Sequence, residues 1–285
     1  MGLASSLPVA FDGFAKYLEK ERKRNWKQIL CYAQSYARVL TTGSAKDLLI
    51  LSSSRRKHAM EALAALSKYQ GCYGRWREIR ESHQLKWSDS EEDNLRFFER
   101  FTSGKEDYSA MLAWLRVAIE KLPAPLGNVL VFNTLTGLRP TEACQSISII
   151  KSNPENYVNR DKMVLEHFRH PSVFFRKTKK AYISIITPEV MDVASRAEST
   201  TWEALRSNLI RRRLPSHAKY CRSIYSTYLR TAGIEPEIID VLQGRIPKTV
   251  FARHYFKPNF KEECMKISKL LNVLYDEIIA ESRVE

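Results

Sequence analysis

Apolar side chains recur at steps of three and four along most of this 285-residue chain, which commits it to packed amphipathic helices. Phe11, Phe14, Tyr17 and Leu18 share one helical face, and Trp26, Ile29, Ala33, Tyr36 and Leu40 share another. Gly43-Ser44 breaks the second helix, and Ser44 is placed to cap a short one carrying Leu48, Leu49 and Leu51. Past Ser52-Ser53-Ser54, a longer helix from about Arg55 to Tyr69 turns Ala59, Met60, Leu63 and Leu66 inward, and Gly71 ends it. A further helical stretch near Trp76 and Ile79 completes a bundle of four or five helices.

The polar, acidic run Ser88–Asp93 marks a boundary, giving domains 1–88 and 89–285. A helix over Tyr108–Lys121 stops at Pro123 and Pro125, and an apolar helix follows at Gly127–Leu135. The period then changes. Val173–Phe175 and Tyr182–Ile186 are β-formers flanking Arg176–Lys180, which predicts a β-hairpin. Helices return at about Ala218–Ala232 and Pro236–Gln243, separated by Gly233. The last helix, Lys261–Ile279, carries Ile267, Leu270, Leu271, Leu274 and Ile278 on one stripe, which suits either core packing or docking onto a neighbouring subunit. The fold class is therefore mainly α with a small β-hairpin or sheet.

Charge narrows the partners. Lys and Arg number 46 against 32 Asp and Glu, a net +14. Residues 1–87 hold 16 basic and 7 acidic side chains, residues 88–126 hold 5 and 8, and residues 127–285 hold 25 and 17. Two basic bodies joined by an acidic connector suit a polyanion. The clusters Arg22-Lys23-Arg24, Arg55-Arg56-Lys57 and Arg75/Arg77/Arg80 put basic faces on the first bundle. The longest apolar runs fall far short of a membrane span, and Met1–Ala10 lacks the basic start and apolar core of a signal peptide. Five scattered cysteines without a CxxC pair suit neither a disulfide framework nor a zinc site, so a reducing, cytoplasmic setting is expected.

The second body also carries an ordered set of cations before one tyrosine. Arg139 stands in Thr136-Gly137-Leu138-Arg139-Pro140-Thr141-Glu142-Ala143, with Glu142 one turn on and able to orient the guanidinium. Arg176-Lys177-Thr178-Lys179-Lys180 puts three ammonium groups at the expected turn. Lys219 and Arg222 lie one helical turn apart, Arg245 follows Gly244, and Tyr255 comes ten residues later. A phenol is a poor nucleophile near neutral pH, and a phosphodiester repels incoming negative charge. Several fixed cations around one phosphate ease both problems.

These ordered pieces resemble the catalytic boxes of the tyrosine recombinases, the phage-integrase family. Thr136–Ala143 is similar to its first arginine box. The second matches through Arg222, Leu229, Ala232-Gly233-Ile234, Ile239, Leu242 and Gly244, and Tyr255 falls where the nucleophile belongs. Lysine at 219, where most members have histidine, and arginine at 245, where most have histidine or tryptophan, look like the integrases of archaeal viruses and plasmids. Arg245 to Tyr255 is one residue longer than the commonest spacing, and His217 is two residues out of place for the histidine.

The resemblance implies a helical core-binding domain and a catalytic domain that together clamp double-stranded DNA at attachment sites, assemble as a tetramer on it, and integrate or excise a mobile element. It implies that Arg139, Arg222 and Arg245 hold the scissile phosphate and that Tyr255 attacks phosphorus to leave a 3′-phosphotyrosyl link. Lys177 becomes the expected general acid, with Lys180 and Lys179 as competitors. Lys219 is a phosphate ligand or proton acceptor, and Glu142 orients Arg139. No metal, cofactor, ATP or membrane is required, because arginines supply the charge and the phosphotyrosine conserves the bond energy. The alternatives are a type IB topoisomerase-like enzyme with the same chemistry and a catalytically inactive DNA-binding relative.

Overall fold

A computed structural model describes residues 11–21, 25–87, 90–104, 107–176, 179–247 and 249–280. It is mainly helical with one small antiparallel sheet. The chain divides into two compact units, Met1–Gly104 and Lys105–Glu285. That division comes after the helix that follows the expected 88/89 boundary. Arg22-Lys23-Arg24, and the Ser88-Asp89 start of the acidic run, lie outside the described residues.

In the first unit, α1 (Phe11–Glu21), α2 (Trp26–Tyr36), α3 (Arg38–Thr42), α4 (Lys46–Leu49), α5 (Ser53–Tyr69) and α6 (Tyr73–Ser82) form the bundle, and α7 (Ser90–Thr102) follows. Its core gathers Phe14, Leu18, Ile29, Ala33, Leu48, Ala59, Met60, Leu63, Leu66, Trp76 and Ile79, the faces that the periodicity marks. Each such side chain stabilises the fold by roughly 1.5–3 kcal/mol if large. Two details differ from expectation. The predicted second helix is split at Ala37, between α2 and α3. Ala45, not Ser44, stands at the N-cap of α4, which has no side-chain cap. Gly43, at φ 75°, ends α3 with its amide on Val39 O, so the break needs no capping serine.

In the second unit, α9 (Ala124–Thr136) is the axis. It is buried almost all round, from Leu126 to Thr136, as a helix apolar on every face must be. Around it pack α8 (Tyr108–Lys121), α10 (Pro140–Ser152), α12 (Pro188–Arg196), α14 (Lys219–Thr231) and α16 (Phe260–Ile279). Thr134 and Thr136 satisfy their buried hydroxyls on carbonyls one turn back, Leu130 O at 2.9 Å and Phe132 O at 2.8 Å. Asp107 caps α8 by accepting Ala110 N–H at 2.7 Å. Two further helices, α13 (Trp202–Arg211) and α15 (Pro236–Leu242), complete the long elements. The stripe of α16 is spent within its own unit: Ile267, Leu271, Leu274 and Ile278 are buried in the same core as α9.

The sheet is β1 (Val158–Asn159), β2 (Val164–Leu165) and β3 (Ser184–Ile185), in that spatial order. Its register sets Val158 opposite Leu165 and Val164 opposite Ile185. The expected hairpin is therefore corrected in its first arm. Val173 and Phe174 end a one-turn helix, α11 (Pro171–Phe174), and β3 pairs with β2 instead. Pro171 presets the helical start, and the Phe174 ring seats against Tyr157 and His167, with centroids at 5.9 Å and 4.6 Å. Long-range ring packing thus overrides local β preference. The reversal itself is present: Phe175 bridges Lys180, and Arg176 N–H donates to Lys179 O at 2.9 Å.

Candidate active site

The first cation is placed by the turn between α9 and α10. Gly137 takes the left-handed conformation, φ 62°, against the ring of Tyr225 on α14. Asn133 reaches forward to hold Leu138 O at 2.6 Å. Arg139 follows in extended conformation as the N-cap of α10, with Pro140 as the first helical residue. Glu142 Oε2 accepts the Arg139 backbone N–H at 3.1 Å, and Oε1 accepts its guanidinium Nη1 at 2.9 Å. The Glu142 side chain is 1% exposed, so this is a buried, hydrogen-bonded carboxylate at a helix N-terminus.

The second cation stands on α14. Arg222 donates from Nη1 to Gly137 O at 3.0 Å and from Nη2 to Gln243 O, while Gln243 Nε2 returns a bond to Arg222 O at 2.9 Å. One guanidinium thus joins the α9–α10 turn to the end of α15. Burial pushes its pKa down to about 10, helped by the charges of Arg139 and then Arg245. It remains a cation at neutral pH, and its two neighbours are close enough to be felt.

The third cation follows α15. Arg245 is anchored at its backbone to Asp240 O at 2.7 Å and at its side chain to Asp240 Oδ1 at 2.8 Å, and it stays largely exposed. Gly244 before it has φ 70°, and a Cβ there would lie 1.7 Å from Lys180 O. The hairpin backbone therefore abuts the start of the Arg245 segment. Lys180 O also accepts Arg139 Nη1 at 3.2 Å. Lys179 and Lys180 are exposed, with Lys180 Nζ 5.8 Å from the centroid of Phe175. Lys177 lies outside the described residues.

Lys219 opens α14, exposed, with its ammonium 5.3 Å from the centroid of the Tyr220 ring. His217 packs against Tyr220 and Trp114, at centroid distances of 4.8 Å and 6.2 Å, in an aromatic cluster. Tyr255 ends a single π-helical turn, Phe251–Tyr255, and is 73% exposed. Its phenol makes no hydrogen bond or ion pair with a described residue. Arg139, Arg222, Arg245, Glu142 and the Lys180 backbone are thus brought together, and the Tyr255 hydroxyl is not bonded to them. In the first unit, Arg75 is partly structural, donating to Thr41 O at 2.6 Å, while Arg55, Lys57 and Arg77 are exposed. Among the described residues no group of three His, Cys, Asp or Glu side chains is placed to hold a metal ion. No described helix is long and apolar enough to cross a membrane.

Two sets of contacts at the site carried no sequence signal. Arg176 Nη2 donates to Glu142 Oε1 at 2.7 Å, across 34 residues. Beneath the Arg139 turn runs a buried polar chain: Tyr157 Oη lies 2.8 Å from Ser146 Oγ and 2.6 Å from His167 Nδ1, His167 Nε2 lies 2.8 Å from Ser184 Oγ, and Ser184 donates to Thr136 O at 3.3 Å. With Ser184 donating onward, its oxygen is free to accept from His167 Nε2–H.

Burial, with a smaller push from His170, lowers the His167 pKa to about 3. Between that value and about 6.5 the unfolded chain binds a proton that the folded one refuses, so stability falls as pH falls. Between pH 7.5 and 5.0 the loss from this residue is about 2 kcal/mol. Urea unfolding of wild type and His167→Asn at the two pH values checks it. The wild type should lose more stability on acidification than the variant, and equal losses would mean that His167 is not buried neutral.

Comparison with protein-family models, with curated proteins and with solved structures finds no match to this chain.

Proposed function

We propose that this chain is a site-specific, integrase-type DNA recombinase that cuts and rejoins duplex DNA through a 3′-phosphotyrosyl link at Tyr255. The observation that carries the reading is that the Arg222 guanidinium bonds Gly137 O and Gln243 O, two residues before Arg139 and Arg245, so that cations from three separate segments gather at one place. Glu142 and Asp240 each offset one of these charges, and an anion that met all three would be held by the set. A phosphodiester is such an anion, and its charge builds toward the oxygens that guanidinia hold best.

In this reading the three arginines bind the scissile phosphate, and Glu142 orients Arg139, which its two bonds to that residue support. Tyr255 Oη bonds to phosphorus as the bond to O5′ breaks. A hairpin lysine gives O5′ its proton: Lys177 by the resemblance, with Lys179 and Lys180 as alternatives. Lys219 binds phosphate or takes the phenolic proton. An exposed phenol on a π turn suits a nucleophile that meets its substrate from outside the protein. Basic side chains of the first unit would add phosphate contacts, several copies would assemble on the DNA, and the reaction would run on attachment sites in the cytoplasm.

The test uses a labelled duplex nicked beside a candidate cleavage position, incubated in EDTA and resolved by denaturing electrophoresis. Wild type should give a covalent protein–DNA band, and Tyr255→Phe none. A band that survives in the variant moves the nucleophile elsewhere. No band from either protein, on DNA that both bind, favours a DNA-binding relative without catalysis.

A further inference from the structure

We infer that Arg176 is a positioning residue for the proposed cleavage, acting through Glu142 to hold the backbone that bears Lys179 and Lys180, the candidate proton donors among the described residues, beside Arg139. The inference rests on the recombinase reading and deepens it.

Glu142 receives three donors. Arg139 Nη1 and Arg176 Nη2 share Oε1 at 2.9 Å and 2.7 Å, and the Arg139 amide takes Oε2 at 3.1 Å. Arg139 alone already compensates the buried carboxylate. What the second guanidinium adds is a tie between the hairpin and the start of α10. The hairpin's far side is tied as well, through Lys180 O to Arg139 Nη1 at 3.2 Å and through the close approach of Gly244 to the same carbonyl. Between these ties the hairpin is internally bonded. Arg176 N–H donates to Lys179 O at 2.9 Å, Lys179 N–H donates to Arg176 O at 3.3 Å, and Phe175 bridges Lys180. Displacing Arg176 therefore displaces the backbone that bears Lys179 and Lys180.

Arg176 Nη2 is engaged by Glu142, and its Nε is buried without a hydrogen-bond partner among the described residues, so two of its donor nitrogens face the protein. Its links to the site are the shared carboxylate and the hairpin backbone. When Tyr255 Oη bonds to phosphorus, the P–O5′ bond breaks and O5′ takes a proton from a hairpin lysine, while the phenolic proton passes to solvent, or to Lys219 where that side chain is the neutral amine. An alkoxide needs that proton. A thiolate, whose conjugate acid has a pKa of about 8.5 in the cysteine side chain, does not.

The experiment compares nicked duplexes whose scissile bridging atom is the normal O5′ or a sulfur, cleaved by wild type, Arg176→Ala and Arg176→Lys. Arg176→Ala should cut the oxygen substrate about 100-fold more slowly than wild type and the sulfur substrate within about threefold of it, with Arg176→Lys between. Thermal unfolding of each variant runs alongside, and if the alanine variant is unfolded, the lysine variant carries the comparison. Equal losses on both substrates would assign Arg176 to phosphate binding or to the fold at large and overturn the inference. Wild-type rates on both would overturn it too. If wild type binds both duplexes and cleaves neither, the recombinase reading itself falls and the assignment with it, a result distinct from either failure of Arg176 alone.

Discussion

Arg222→Lys is expected to slow cleavage of the nicked duplex by about 100- to 1,000-fold, with a residual rate that rises as the pH falls. The guanidinium spans two carbonyls, Gly137 O and Gln243 O, that come from different segments. A lysine ammonium is a point donor on a different stem and cannot reproduce that fork. The larger effect is on charge. Burial, Arg139 and Arg245 together bring an arginine down to about 10. Lysine starts from about 10.4, lower than arginine, so the same surroundings push it toward the neutral amine at working pH. In the proposed recombinase reaction the protonated form is the one that holds the phosphate, and acid restores it, which fixes the sign of the profile. Single-turnover rates between pH 6 and 9 decide the matter. A wild-type rate with an unchanged profile would mean that Arg222 does not face the phosphate.

Gly137→Ala is expected to destabilise the second unit by about 3–4 kcal/mol, the sum of a left-handed backbone and an overpacked contact. A Cβ at 137 would lie 2.5 Å, 2.7 Å and 2.9 Å from three ring carbons of Tyr225. That ring is fully buried and has no room to retreat. In a body of this size the melting temperature should drop by about 10 °C. The change also moves Gly137 O, so the support of Arg222 fails with the turn, and cleavage should fall further than the stability loss explains. A shift under about 1 kcal/mol would mean that the turn does not pack on Tyr225 as described.

Much of the helical scaffold was legible in sequence. Tyr108–Lys121 stops where Pro123 forbids continuation, α9 reads as buried because no face of it is polar, and Gly233 separates α14 from α15. These signals act within a turn or two of the chain, through capping, backbone conformation and periodicity, so one sequence contains them. The arm at Val173–Phe174 misled because its β-formers serve a distant aromatic cluster rather than a strand. The sheet's true pairing, β2 with β3, joins residues about twenty positions apart through two-residue strands, too short to show an alternating pattern. Of the candidate site, the order and identity of the cations were visible. Arg176 was visible only as one more charge in a basic turn, since nothing near it announces Glu142.

By itself the sequence determined a mainly helical chain, the approximate ends of α5, α8, α9, α14, α15 and α16, and a set of arginines each placed beside a glycine, a proline or the first turn of a helix. Those are consequences of local sterics. The tertiary structure alone decided that Arg222 joins Gly137 O and Gln243 O, across 85 and 21 residues, and that Glu142 is shared by Arg139 and Arg176. It also decided that the stripe of α16 is consumed in its own core. Such contacts exist because a buried carbonyl, carboxylate or apolar face must find a partner, and which partner is available depends on how the helices pack around α9.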